Sequence, residues 1–548
     1  MQLTTTTTAM TVATTAPGSR GRSWLKWIYR ACTGRYESGW RFALMGVVLF
    51  GLVQVFGHWY HEMWRDELQC WSMGRAATGL WDLLTGDRRY EGHPFLWYYL
   101  LHLVSRLNRS FVTLHFVTGA LIVAAAGLWL RYAPLARFLR VLLLGSYYFV
   151  YEYGVISRAY TLGLFLTFGF CALYHPRRIR YVPSAVLLSL LAATSMYGML
   201  MATALGFFLF SHGPSLRRPD DADARTRLIL PVEWIIGFGL YLASLAVTVI
   251  TTIPPADDIY TPGPIATITW AVLRAAAARY WQVMFPFHTL TSWNWFDGDW
   301  LGNGWSWGRW LVPWLGALWF GAWILVLRRS ARVVVTYGLG IAAIVLVQHV
   351  VGMGGLRHLG SYFILLLACV WLYARETRGR SPDRMLHALL AASLVLQCLT
   401  GFAALRTDRR EVFSGVEEAA TFIRKHHLLG LPVVGDSDAT AGAVASALDQ
   451  PFFYPATDET AEAIVWHGRR SLVSRERVLE HALRLARSAD GTALIVLNYD
   501  LPPGPTPGLT SKLLFHGGPA IVADESFRIY QVDVVDRTPS ASPRGTSF

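Results

Sequence analysis

Four short strings in the sequence gather residue types that can do chemistry. The first is His61-Glu62-Met63-Trp64-Arg65-Asp66-Glu67. Adjacent carboxylates against apolar neighbours suit a general base, because partial loss of water raises carboxylate basicity while Arg65 holds the charged form. Adjacent helix positions do not share a face, so at most one of Asp66 and Glu67 points at a given substrate atom. The second string is Tyr90-Glu91-Gly92-His93-Pro94-Phe95-Leu96-Trp97-Tyr98-Tyr99-Leu100. Pro94 stands where a helix begins, since a missing N–H is harmless in the first turn, and this puts Glu91 and His93 at the mouth of that helix. The third, Tyr151-Glu152-Tyr153-Gly154-Val155-Ile156-Ser157-Arg158-Ala159-Tyr160, sets Glu152 and Arg158 between apolar runs. Charge is expensive there unless it is paired or turned to a polar cavity. The fourth, Gly354-Gly355-Leu356-Arg357-His358-Leu359-Gly360-Ser361-Tyr362, places an arginine and glycines at a helix start. A guanidinium fork beside free backbone N–H groups suits a phosphate, although the same arginine also fits a positive charge that merely orients a membrane span.

The elements that must position these strings are apolar. Of the 548 residues, 53% are hydrophobic and 16% charged, against about 25% charged in ordinary soluble domains, which excludes a simple soluble protein. The 23 Trp, 24 Tyr and 28 Phe are the aromatic excess expected of helices that end at a water and lipid boundary. The net charge of +13 sits in short clusters flanking apolar runs, such as Arg20, Arg22, Lys26, Arg30 and Arg35, so it reports topology and no nucleic-acid partner is expected. Apolar runs near 40–59, 94–107, 111–131, 138–153, 157–175, 180–195, 197–211, 228–253, 308–328, 332–352, 359–375 and 384–404 predict a polytopic α-helical membrane protein with about 11–13 transmembrane helices. Several are shorter than the ~20 residues of a full span, so the parity is not fixed by counting.

Residues 1–39 read as a disordered cytoplasmic tail and 40–404 as the transmembrane domain. Within it, 60–93 is an extracytoplasmic loop of amphipathic helices lying on the outer face. A second long loop, 251–307, ends in Trp293, Trp295, Phe296, Trp300, Trp305 and Trp307, as an interfacial lid or a passive aromatic belt. From 405 to 548 the composition becomes that of a small soluble α/β domain, placed outside. Strands are expected at 431–434, 493–497, 520–523 and 527–532, and helices at 415–426, 440–448 and 476–487. Gly435-Asp436-Ser437-Asp438 reads as a helix N-cap in preference to a ligand loop. Cys32, Cys70, Cys171, Cys369 and Cys398 show no metal-ligand spacing, and no internal repeat supports a paired-repeat transporter.

Taken together, the strings resemble the GT-C superfamily of membrane glycosyltransferases, in particular the group of protein O-mannosyltransferases and lipid A aminoarabinose transferases. Asp66-Glu67 follows the first span, Glu91, His93 and Pro94 lead into a PFLWYYLL helix, Arg158 and Tyr160 lie in SRAYTLGLFL, and a soluble domain closes the chain. The family's HPPL is HPFL here, and its late Arg-Tyr is Arg357-His358. The resemblance implies a polyprenyl-phosphate-linked sugar as donor, entering from the lipid bilayer, and a lipid, glycan or protein acceptor. It implies Asp66 as general base in a single inverting displacement, with Glu67 or Glu91 orienting the acceptor and His93 and Arg65 beside them. Arg158 and Arg357, with Tyr160 and His358, would receive the leaving phosphate. Whether Asp66 and Glu67 instead hold a divalent metal cation is left open, since hard cations also choose carboxylates. The Ala- and Arg-rich composition is compatible with a bacterial cytoplasmic (inner) membrane. Two other classes compete: a transporter lined by Glu152, Glu233, Arg158 and Arg357, and a glycan-binding or assembly scaffold built on the C-terminal domain.

Overall fold

A computed structural model of the chain describes residues 39–214, 224–259, 267–286, 307–352, 355–377, 384–501 and 507–535, the side chains of 224–230 excepted. The expected tail, the aromatic positions Trp293, Trp295, Phe296, Trp300 and Trp305, and Gly354 lie outside the described residues. The chain is mostly helical. Among the described residues seven helices are long and apolar enough to cross a membrane: Trp40–Tyr60, Thr113–Tyr132, Pro231–Thr252, Gly308–Leu327, Ala331–Val351, Leu356–Glu376 and Arg384–Arg410. The other apolar runs give shorter pieces, Leu96–Ser105, Arg137–Gly145, Ala159–Leu173, Tyr181–Ala192 and Met196–Phe210. At ~1.5 Å per residue none of these alone reaches the ~30 Å of a bilayer core, so seven of the expected ~11–13 spans are matched by full-length helices among the described residues. Hydropathy does not register where a helix stops, and the 138–153 run is broken at Ser146 and continues as a π turn, Tyr148–Glu152.

Leu356–Glu376 is the axis of the helical body: 94% of its apolar window is buried, against 22% for Trp40–Tyr60, whose Leu44, Met45, Leu49, Leu52 and Val55 face outward. Ser330 caps Ala331–Val351 by accepting from the Val333 N–H at 3.4 Å, and that helix ends on Gly352 at φ +70°. Gly360 lets the 148–153 turn lie against the axis, because a methyl group there would overlap the Tyr153 hydroxyl and the Tyr148 ring. Tyr153 in turn donates to the Arg357 carbonyl at 2.7 Å.

The C-terminal part is an α/β domain on one six-stranded mixed sheet, ordered β3-β2-β1-β4-β6-β5, with β1 Val433–Gly435, β2 Phe452–Tyr454, β3 Glu459–Ala461, β4 Thr492–Leu497, β5 Leu509–His516 and β6 Arg528–Val534. β1 pairs in parallel with β2 and β4, with Val434 opposite Ile495, while β3, β6 and β5 join antiparallel. Val416–Lys425, Asp438–Leu448 and Arg475–Ser488 are its helices. The strand expected at 520–523 is not formed. Its amides pair with the linker instead, Ile521 N–H to the Val412 carbonyl at 2.8 Å and Val522 N–H to Phe413 at 3.0 Å. The sequence reading also missed β2 and β3, which are only three residues each, and β5, an edge strand whose mostly exposed side chains carry no alternation.

Arg65–Ala76 does not lie on an outer surface as expected. It is enclosed between Leu96–Ser105 and the Asp438–Leu448 helix, with Leu68, Trp71 and Met73 buried. Small residues on both sides explain this. A Cβ on Gly74 would stand 2.8 Å from Leu101 Cβ and 2.9 Å from the Tyr98 carbonyl, and the facing DATAGAVASAL helix is almost all Ala, Gly, Ser and Thr. Ser446 Oγ donates to the Leu68 carbonyl at 3.1 Å, and Arg75 reaches Asp449 at 3.3 Å and Glu462 at 3.4 Å. The α/β domain therefore covers the end of the helical body that carries Asp66.

Candidate functional site

Three helix N-termini converge at that end. Asp66 lies in the first turn of Arg65–Ala76, Arg158 immediately precedes Ala159–Leu173, and Arg357 lies in the first turn of Leu356–Glu376. Helix N-termini carry partial positive charge and unpaired N–H groups, so their meeting point favours an anion. Arg357 Nη2 stands 2.7 Å from Asp66 Oδ2 and Arg158 Nη1 stands 3.6 Å from the same oxygen, while Arg158 also donates to the Asp66 carbonyl. The Arg357 guanidinium lies 4.9 Å from the centre of the Trp64 ring. The side chains of Asp66, Arg158 and Arg357 are 23%, 12% and 18% exposed, so the group is enclosed but reachable. Burial, the largest influence, opposes ionisation of Asp66, yet Arg357, Arg158 and Arg65 outweigh it and hold the carboxyl below the usual carboxylate range.

Glu67, one residue on, turns the other way. It is fully buried, takes the Ser157 N–H at 2.5 Å on Oε1, and meets His61 Nε2 at 3.1 Å and the Trp64 N–H at 3.3 Å on Oε2. The far side of the His61 ring, Nδ1, meets Asp408 at 3.1 Å. Burial opposes charge on both groups, but Asp408 and Glu67 raise His61 well above its ordinary value, and His61 with the Ser157 N–H lowers Glu67. The pair Asp66 and Glu67 thus points apart and does not fit a single shared divalent cation. Among the described residues no three His, Cys, Asp or Glu side chains gather as a metal-ligand set.

The other expected residues surround this core unequally. Glu91 ends the short turn Asp87–Glu91 and accepts from Gln69 Nε2 at 2.8 Å and from Trp466 Nε1, of the α/β domain, at 3.0 Å. Burial raises its carboxyl above the ordinary value, against Gln69, Arg158 and Trp466. Burial, reinforced by Arg158, Arg357 and Arg88, pushes His93 down to about 4, so its ring is neutral at neutral pH. His358 stacks on Tyr197 at 5.5 Å and meets the edge of Tyr160 at 6.0 Å. Nδ1 of His93 and Nδ1 of His358 have no hydrogen-bond partner among the described residues. Arg65 faces away, to Asp524 at 2.5 Å and Glu525 at 3.7 Å, and docks the α/β domain. In the 435–438 loop Ser437 adopts φ +49° without a side-chain cap, and Asp438 pairs with Arg470 at 2.6 Å.

Sequence reasoning missed Asp408, Ser157, Gln69 and Trp466. Asp408 and Trp466 both fall in the stretch from 405 onward whose composition reads as a soluble domain, so no local signal tied either to the site. His61 stood in the flagged string, but its bridging role needs both partners to be seen. None of the known family models compared with the sequence matches it, and no curated protein matches it either.

Proposed function

We propose that the chain is a multi-pass membrane glycosyltransferase of the GT-C type, moving a sugar from a polyprenyl-phosphate-linked donor to an acceptor hydroxyl at the extracytoplasmic face with inversion. The observation that carries this reading is one reachable carboxylate, Asp66, met by two guanidiniums where three helix N-termini converge. A base and an anion site side by side are what displacement of a phosphate by a hydroxyl needs. The arginines address Oδ2. The other carboxylate oxygen takes the acceptor proton as the acceptor oxygen attacks the anomeric carbon and the bond from that carbon to the phosphate oxygen breaks. Arg158 and Arg357 take up the charge that develops on the departing phosphate, and as they do so their hold on Asp66 weakens and its basicity rises. Glu91 orients the acceptor, and neutral His93 offers a hydrogen bond without a charge.

Membrane placement is supported by the outward apolar face of helices such as Trp40–Tyr60, a large apolar patch for a surface in water. Several short helices still join the two ends of the body. Ala159–Leu173 begins beside Asp66 and ends at Tyr174, which bonds Glu376 at 3.4 Å. Tyr181 bonds the Gly213 carbonyl at 2.7 Å, and Ala193 takes the Leu96 N–H at 2.9 Å. The broken 137–157 stretch likewise runs from the level of Tyr132, which Arg375 holds at 3.1 Å, to Ser157 beside Glu67. Among the described residues, seven long helices and four such traverses make eleven crossings, an odd number that supports an α/β domain on the side opposite a cytoplasmic N-terminus. A bacterial cytoplasmic membrane is the proposed location. The transporter reading draws no support from Glu152, which is buried and bonded by Tyr147 at 2.5 Å.

The test is transfer from a panel of radiolabelled polyprenyl-phosphate sugars by membranes holding the wild type or Asp66→Asn. Transfer by the wild type alone supports the reading. Equal transfer by both, with the variant folded, removes Asp66 as base, and no transfer from any donor removes the reading itself.

A further inference from the structure

Two sets of contacts meet at His61. Asp66 is covalently next to Glu67, and Arg158 is next to Ser157, whose N–H is held by Glu67 at 2.5 Å. The relative position of base and guanidinium therefore passes through the Glu67 carboxylate, and His61 fixes that carboxylate from its other oxygen at 3.1 Å. The opposite ring nitrogen holds Asp408, near the end of the last long helix, at 3.1 Å. From there the chain runs directly to Phe413, whose N–H bonds Glu62 at 2.6 Å, and to Ser414, which bonds Glu525 at 2.6 Å beside Arg65. Phe413 also covers the imidazole, with ring centres 4.7 Å apart, and the edge of Tyr151 closes it on another side. His61, Glu67 and Asp408 have side chains 0%, 0% and 2% exposed, so none of them meets a substrate. A buried ion pair of this kind adds little net stability over apolar packing, whereas removing its centre leaves two buried carboxylates facing each other. Such a bridge is best explained by the geometry it imposes.

We propose that His61 is a positioning residue of the transfer site: by bridging Glu67 and Asp408 it fixes the spacing between the Asp66 and Arg158 segments and ties that spacing to the linker of the α/β domain. The name "transfer site" rests on the glycosyltransferase reading, but the positioning itself is measurable without turnover. A glutamine can reach one carboxylate and not both, so His61→Gln in the full chain breaks the bridge. Amide hydrogen exchange in His61→Gln is expected to quicken roughly tenfold in the segments 61–68 and 153–160, with residues 331–345 unchanged. Asp408→Asn, nearly isosteric and so a second route if the first variant fails to fold, quickens the same two segments by a smaller factor. Binding of undecaprenyl monophosphate to His61→Gln weakens about tenfold although both arginines are intact, and transfer falls about a hundredfold. Exchange unchanged in both segments, or raised evenly along the chain, overturns the proposal as a mere loss of stability. Localised loosening in a protein whose wild type binds no undecaprenyl monophosphate upholds the positioning and overturns the transferase reading.

Discussion

The two ends of the buried axis Leu356–Glu376 both carry charge, and they differ in kind. At the Arg357 end one carboxylate faces two guanidiniums, all three partly reachable, with two imidazole nitrogens beside them that bond to nothing among the described residues. At the other end Glu376 collects His212 at 3.4 Å, Tyr174 at 3.4 Å, Arg332 at 3.9 Å and the Ser330 hydroxyl. Here one carboxylate meets one arginine, and the donors come from three neighbouring parts of the helical body. The second arrangement is a clasp that gathers helix ends. The first has surplus positive charge at an accessible point, which attracts an anion. Polar clusters in an apolar body are thus distinguished by charge balance and access, since both ends look alike as lists of residue types.

Substitutions at the two ends should separate them. The largest effect is expected for Asp66→Asn, which leaves a folded protein with transfer lowered about 10²–10⁴-fold, the range for loss of a general base, read with labelled donor in membranes. Arg357→Ala comes next, lowering transfer about 10²–10³-fold by removing one donor to the developing phosphate charge. Glu376→Gln, at the opposite end, should lower the melting temperature while transfer stays within about threefold, because it loosens a clasp and touches no reacting atom. A drop in transfer as large as that of Arg357→Ala would erase the distinction between the ends.

The smallest effect concerns the joint between the helical body and the α/β domain. Burial pushes Glu525 up to about 7 from 4.5, outweighing Ser414 and Arg65. Between those values the folded protein holds a proton that the unfolded chain has lost, so the stability from this group is present below about 4.5 and gone above about 7. Thermal unfolding should therefore show a melting temperature that rises as the pH is lowered from 7.5 to 5.5, and Glu525→Gln should flatten that rise. Glu62, pushed up to about 7 by burial against the Phe413 N–H, acts in the same sense at the same joint and accounts for the part that remains.

Much of the local structure was legible in residue types. Continuous apolar runs located the long helices, and short β-branched runs located β1, β4 and β6. The strings around Asp66, Arg158 and Arg357 stood out because charge beside an apolar run needs a reason. What pairing does across the chain was not legible. Asp66 and Glu67 look equivalent in sequence, and only the positions of Arg357, Ser157 and His61 separate a reachable carboxylate from a buried one. The enclosure of Arg65–Ala76 depended on an Ala- and Gly-rich helix more than 300 residues later, whose composition says that something packs closely on it but not what. Ile521 and Val522 had strand-forming residues and found a linker instead of the sheet, a choice that tertiary contacts make and propensity does not.

If the Asp66 end of the axis receives a lipid-borne phosphate, equilibrium binding of radiolabelled undecaprenyl monophosphate to the purified full chain reads that contact without turnover. Arg357→Ala is expected to weaken binding at least about tenfold, as loss of a charge-assisted hydrogen bond should, while Arg332→Ala at the Glu376 end stays within about twofold of wild type. Binding that survives Arg357→Ala, or that falls equally with Arg332→Ala, would contradict it.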